Sequence, residues 1–584
     1  MRSWLFDPLR MHLVRMIIVV LVVVPRIEVY AQWRFEGNTT PTWEDVVERY
    51  AEIDRTRSGT SFFEIGKDDD GSPIHLFVLS DGSGSTPDSI RASGKNILWI
   101  TNGIHPGEPD GIDASLLLTQ ALLDSDQYMG LLANTAVCIV PVYNVSGARQ
   151  RNSTSRVNQM GPEEYGFRGN ARNLDLNRDF MKVDASNTRT LITALNHWDP
   201  DIYFETHVSN GADHQYVMEL LTTHPDKLDP DLRQFMEVEL MPRQYGWMEQ
   251  HGHLMCPYFE THRAIPEQGL TGFVDGPRYS TGYNNLRQRI GILSESHMLK
   301  PYAERVNATF QLLLATLAAM NEHPRELQQA RAKARASAME VVHYQTNWRI
   351  DTTAVDSLRW SGYAADTTTS PITGLPRWRY HRDRPTDVEV PWMNTAVPGI
   401  QIERPVAYLI PRAWHELIER LQLDGVPMTP AATGHRYVVE LQRITDHRTV
   451  DRPYEGHYLH HDIVTSTTVD TVMARSGDVL VPMGHATDPL VMELLEPRAS
   501  DSFFAWGFFD AVLQQKEWFS DYVFEDIAAR LVEDDPGLAA ELEALRQRDP
   551  DFAKDAWAQL LFVYRHSPHM EPGYLRYPVR RVIQ

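Results

Sequence analysis

Four short apolar runs constrain this chain more than any other feature: Asn96-Ile97-Leu98-Trp99-Ile100, Ala136 to Val142, Ile202-Tyr203-Phe204 and Ile290-Gly291-Ile292-Leu293. Each is bounded by turn signals, the pattern of a strand buried in a sheet. Helix-like stretches such as Ala114 to Leu123 and Thr188 to His197 lie between them. Strands that alternate with helices predict an α/β domain built on a largely parallel or mixed sheet. From Tyr302 to about Val342 the pattern is one long helix, Ala-rich and charged, that closes this domain at about residue 345.

At 584 residues the chain exceeds what one ordinary core supports, so further structure is expected beyond residue 345. Residues 346 to about 400 are rich in Thr, Asp, Pro and Arg with weak periodicity, which predicts a loop-rich linker or insert. Val406 to Ile410 then reads as a strand and Trp414 to Leu423 as an amphipathic helix. Tyr437 to Leu441 and several runs between His457 and Val481 predict more sheet, and Phe503 to Gln515 and Phe524 to Leu545 predict helix. Residues 346–584 are therefore read as a separate α+β region.

Arg2, Arg10 and Arg15 precede the apolar run Met16 to Val24, and Val29-Tyr30-Ala31 places small residues at −3 and −1 of a cleavage site. That layout predicts a signal peptide over residues 1–31, an exported or periplasmic product and no membrane span once it is removed, because the run falls short of the ~20 residues a span requires. The net charge of −22 argues against a nucleic-acid partner, which would need a basic face. Only Cys138 and Cys256 are present. Cys138 sits in an apolar run and reads as a small buried hydrophobe, so the fold is not built on disulfides.

The chemistry-bearing residues follow the predicted strands. Thr101-Asn102-Gly103-Ile104-His105-Pro106-Gly107-Glu108 follows the first run and precedes a helix. Loops at the carboxyl ends of strands are where α/β sheets bind ligands, and two glycines let His105 and Glu108 fold toward one cation. His207 ends the third run and Glu295 the fourth, while Asn173-Leu174-Asp175-Leu176-Asn177-Arg178-Asp179 forms a polar cluster between them. Taken singly, a strand-end His is a hydrogen-bonder, Glu295 a salt-bridged edge carboxylate and the polar cluster a surface turn. Four such features in one domain are far less readily explained by chance. His251, His253, His262, His457, His460 and His461 lack the acidic or cysteine neighbours of a closed metal site and read as loop histidines.

This order of residues resembles the zinc carboxypeptidase family, over roughly residues 95 to 300. The resemblance implies an α/β/α sandwich around a mixed, twisted sheet. It also implies one zinc ion held by His105, Glu108 and His207, with an open position for a water whose pKa the metal lowers towards ~7. It further implies Glu295 as general base, Asn177 and Arg178 as the clamp on a peptide's C-terminal carboxylate, and Asp175 as the carboxylate orienting His105. Arg168 resembles the family arginine that polarises the scissile carbonyl, with Arg149, Arg151 and Arg156 as nearby competitors. Tyr279 and Tyr283 both stand where a substrate-binding Tyr is expected, closer to Glu295 than the family pattern.

The resemblance thus implies a zinc-dependent carboxypeptidase acting on peptide or protein C-termini. Two other readings share parts of it: a zinc deacylase of the aspartoacylase and succinylglutamate desuccinylase type, and a binding protein on an inactive peptidase fold. Every expected ligand and base position is filled, which weighs against the last.

Overall fold

The computed structural model describes residues 37–82 and 84–584. The expected signal peptide lies outside the described residues. The four apolar runs form the middle of an eight-stranded sheet. In chain order its strands are β1 (Thr60–Lys67), β2 (Pro73–Leu79), β3 (Asn96–Thr101), β4 (Thr135–Val140), β5 (Ile202–Ser209), β6 (Met218–Thr222), β7 (Met255–Pro257) and β8 (Ile290–His297). Across the sheet the order is β1-β2-β4-β3-β5-β8-β6-β7. β4, β3, β5 and β8 are parallel. β2 pairs antiparallel with both β1 and β4 at one side, and β6 pairs antiparallel with β8 at the other.

β3, β4 and β5 are buried along their whole length, which is why their sequences show no polar alternation. Ile97, Trp99, Ala136 and Cys138 face one core, which includes Leu191, Leu195 and Trp198 of α2 (Ser186–Trp198). The intervening Leu98, Ile100, Val137 and Ile139 are equally buried and, by the two-residue period of a strand, face the other side. α1 (Asp110–Asp124) packs against α4 (Tyr302–Glu322). α3 (Ser280–Leu286) leads directly into β8. Cys138 and Cys256 are both free and buried.

Three expectations need correction. The single long helix predicted from Tyr302 is two, α4 and α5 (Pro324–Glu340). Pro324 lacks the N–H needed to continue α4, and its fixed φ suits the first turn of a new helix. The predicted loop-rich segment is instead a long antiparallel hairpin of β9 (Asp356–Thr369) and β10 (Pro376–Met393). Most of its side chains are exposed on both faces, so no apolar alternation marked it. Phe503 to Gln515 is mostly turn with one short 3-10 segment, Asp510–Leu513, because its aromatic residues fill a core rather than one helix face.

Beyond the hairpin lies a six-stranded antiparallel sheet that includes Ala407–Ile410, Arg436–Thr449 and His460–Met473. Tyr408, Ile410, Leu417, Leu490 and Phe503 belong to the same buried cluster as Trp99 and Trp198. The C-terminal residues therefore share a core with the sheet that carries the expected site.

Candidate active site

The chain leaves β3 toward β4 on one side, while β5 lies on the other. The carboxyl ends of β3 and β5 thus border a crevice where the connections diverge, the position at which open α/β sheets bind ligands. The β3 loop supplies His105 and Glu108. Gly103 adopts φ +64°, a left-handed conformation that favours glycine. Gly107 sits so close to Arg156 that a Cβ would lie 2.9 Å from its Cδ. The loop is closed by the turn Glu108 N–H to His105 C=O at 2.8 Å. β5 supplies His207, and β8, its parallel neighbour, places Glu295 directly beside it in register.

His105, Glu108 and His207 converge. Glu108 Oε2 lies 3.3 Å from His105 Nδ1 and 3.1 Å from His207 Nδ1. Ligands bound tetrahedrally at 2.0–2.2 Å from an ion are separated by about 3.3 Å, so the spacing fits a divalent cation. The two imidazoles meet at 62° with centroids 4.9 Å apart, and one ligand atom from each of the three residues lies within 4.8 Å of the other two. Each outer nitrogen has a carboxylate partner: His105 Nε2 to Asp175 Oδ1 at 2.9 Å, and His207 Nε2 to Glu205 Oε2 at 2.9 Å. Such partners fix the Nε2–H tautomer and leave Nδ1 free to ligate.

Burial opposes charge on Glu108, but His105, Arg156 and hydrogen bonds from His105 and His207 outweigh it and hold its carboxyl well below the usual range. Burial also opposes charge on His207, yet hydrogen bonds to Glu108 and Glu205 push it up to about 10. A bound cation would displace that proton. Glu108 Oε1 takes two guanidiniums, Arg156 at 2.8 Å and Arg168 at 3.2 Å. Arg156 is also tied to Gln159 at 2.6 Å and to the Val208 carbonyl at 3.1 Å, which anchors it as a support for Glu108. Arg168 bonds Asp175 at 2.8 Å but is 44% exposed, so it retains freedom to reach a substrate.

A cavity of about 450 Å³ is lined by these ligands together with Arg168, Asn177, Arg178, Tyr279 and Glu295. The Glu295 carboxylate has no hydrogen-bond partner among the described residues. Burial is the main cause of its raised pKa; His207 and Arg168 pull it down, Glu108 and Glu219 push it up, and the result is about 8. The Arg178 guanidinium lies 4.4 Å over the Tyr279 ring and donates to the Asn177 carbonyl at 2.9 Å. Of the two candidate tyrosines only Tyr279 lines the cavity. Tyr283 is corrected out of the site: it is 0% exposed, with its hydroxyl on Asp424 at 2.7 Å, because its position on α3 faces the core.

Glu205 was not foreseen from the sequence, although a carboxylate inside the apolar run Ile202-Tyr203-Phe204 was a visible signal. Also unforeseen is a second buried group, His214, Glu219 and His297. Glu219 Oε1 lies 3.1 Å from His214 Nε2 and 3.4 Å from His297 Nδ1, and accepts from Ser209 at 2.7 Å. Its imidazoles stack at 4.1 Å and 27°. Their outer nitrogens have no partner among the described residues. The donor types match the first group, but the histidines lack the outer carboxylate partners that orient His105 and His207.

Residues 50–253 match the model of the zinc carboxypeptidases. That segment belongs to the zinc carboxypeptidase family. The chain is 23% identical over 498 residues to carboxypeptidase 2 of Trichophyton rubrum, covering 81% of this chain and 85% of that protein. To the probable carboxypeptidase 2 of Arthroderma benhamiae it is 23% identical over 494 residues, covering 80% and 86%. Matches of this length extend well into the residues after 345, so part of the C-terminal region is shared with these relatives. Among solved structures the chain is similar to a metallo-carboxypeptidase from Burkholderia cenocepacia, at 17% identity and a TM-score of 0.35 over 47% of this chain and 67% of that one. No helix among the described residues is long and apolar enough to cross a membrane.

Proposed function

We propose that this chain is an exported metallocarboxypeptidase that uses one zinc ion to remove residues from the carboxyl end of peptides. The observation that carries the reading is one cavity holding a His-Glu-His cation site, an unpaired carboxylate and the Asn177–Arg178 pair together. His105, Glu108 and His207 would hold the ion. When bound, zinc supplies a Lewis acid and a water acidified from ~15.7 towards ~7.

The remaining work belongs to side chains. Glu295, unpaired and with raised proton affinity, accepts the proton of the attacking water and passes it to the departing amine. Arg168, exposed and oriented by Asp175, meets the negative charge that develops on the carbonyl oxygen. Arg178, its face held by Tyr279, forms the planar pair with the substrate's terminal carboxylate, and Asn177 donates its amide beside it. Residues 1–31 would direct export.

The test is to incubate zinc-loaded protein with N-terminally blocked peptides and follow products by mass spectrometry. Stepwise loss from the free carboxyl end, with C-terminally amidated peptides resistant, is expected. Release of acyl groups from N-acyl amino acids, with peptides untouched, would instead identify a deacylase.

A further inference from the structure

The two ligand histidines are not held independently of the substrate side of the cavity. Each outer carboxylate is shared with a residue expected to meet the peptide. On the His105 side, Asp175 binds the imidazole through Oδ1 and Arg168 through Oδ2. On the His207 side the sharing is denser. Glu205 Oε2 takes His207 Nε2 at 2.9 Å, Ser280 Oγ–H at 2.7 Å and Asn177 Nδ2–H at 3.3 Å, and Oε1 takes the Tyr203 hydroxyl at 2.8 Å. Glu205 is 0% exposed. Asn177 Oδ1 in turn accepts from the Ser280 backbone N–H at 3.0 Å. Glu205, Asn177 and Ser280 thus close a ring of hydrogen bonds at the start of α3. The residue before that helix is Tyr279, whose ring supports Arg178.

Resting on the carboxypeptidase reading above, we infer that Glu205 is a positioning residue that joins the cation site to the clamp for the substrate's terminal carboxylate. Glu205 takes four donors, three of them sharing Oε2, so that oxygen has no acceptor capacity to spare. The His207 ring, the Asn177 amide and the Ser280 turn cannot then reorient one at a time. Asn177 Nδ2 lies 3.3 Å from both Glu205 Oε2 and His207 Nε2, so the amide that lines the cavity sits against the ligand histidine and its outer carboxylate together. Bonds to an ionised acceptor are roughly twice as strong as neutral ones, so a neutral isostere at 205 would loosen both ends. Two sites held by one element are coupled reciprocally: what fixes His207 for the cation also fixes Asn177 for the peptide. A merely structural Glu205 would affect stability and leave both sites' affinities alone.

The test uses the full chain with Glu205→Gln. Zinc affinity is measured by competition with a chromophoric chelator, and kcat and KM are measured separately at saturating zinc on an N-blocked peptide with a free C-terminus. Zinc affinity is expected to fall about 10- to 100-fold, the usual effect of losing an outer partner. KM is expected to rise about tenfold, the size of a charge-assisted hydrogen bond, while kcat stays within about threefold. If Glu205→Gln does not fold, Ser280→Ala removes one bond of the ring and gives the same two shifts at about two- to fivefold. Unchanged zinc affinity in the variant that folds would overturn the inference, as would weakened zinc binding with KM unmoved. Should the wild type release no C-terminal residue, the functional reading fails by itself, and chelator competition still decides whether Glu205 holds His207.

Discussion

Replacing Glu295 with glutamine isolates the cost of keeping an ionisable base in the cavity. Burial and two carboxylate neighbours move Glu295 from 4.5 to about 8. Between those values the folded chain keeps a proton that the unfolded chain releases, so stability falls as pH rises through that window. At 1.36 kcal/mol per pH unit the full gap corresponds to a ceiling of about 5 kcal/mol. Water in the cavity screens part of this, so a difference of about 2–3 kcal/mol is expected. Glutamine has no such charge. In metal-free protein, urea unfolding of Glu295→Gln and wild type should nearly coincide at about pH 5, with the variant pulling ahead by about 2–3 kcal/mol towards pH 8. Saturating zinc should shrink the gap, because a nearby cation favours the ionised carboxylate. Turnover of the zinc-loaded variant should fall at least 10²-fold while zinc stays bound. Two unfolding profiles that remain parallel across this pH range would refute the placement of Glu295 in a desolvated, like-charged site.

Three further outcomes follow from the same geometry. His207→Ala should lose zinc in a chelator competition, with activity lost in proportion, since only two protein ligands remain. Arg178→Lys should raise KM for free-carboxylate peptides by about 10- to 100-fold with a smaller change in kcat, as a bidentate pair becomes a point charge. Tyr283→Phe should leave kcat and KM unchanged yet lower stability by about 1–3 kcal/mol in urea unfolding, because it strips the buried Asp424 of its partner.

The legible part of this chain was the part under two-sided burial. β3, β4, β5 and β8 appear as unbroken apolar runs because helices cover both sheet faces, and the polar residues that end them stand out as chemistry. His105, Glu108, His207 and Glu295 were visible for that reason. Tyr279 and Tyr283 were not separable, since only the orientation of α3 turns one to the cavity and the other to Asp424. The role of Glu205 was not legible, because two of its four partners, Asn177 and Ser280, come from distant segments and nothing local encodes those contacts. The β9–β10 hairpin was misread because exposed side chains on both faces leave no period to detect. Glu219 lies on β6 with His214 five residues before it, and the antiparallel pairing of β6 with β8 brings His297 to them.

In the proposed function His105, Glu108 and His207 would hold one zinc ion together. Anomalous diffraction at the zinc edge, on crystals grown from protein reconstituted with zinc and freed of excess, tests it most directly. A single strong peak per chain is expected, about 2.0–2.2 Å from Nδ1 of His105, Nδ1 of His207 and a Glu108 oxygen. A peak at His214, Glu219 and His297 instead, or none at the crevice between β3 and β5, would contradict it.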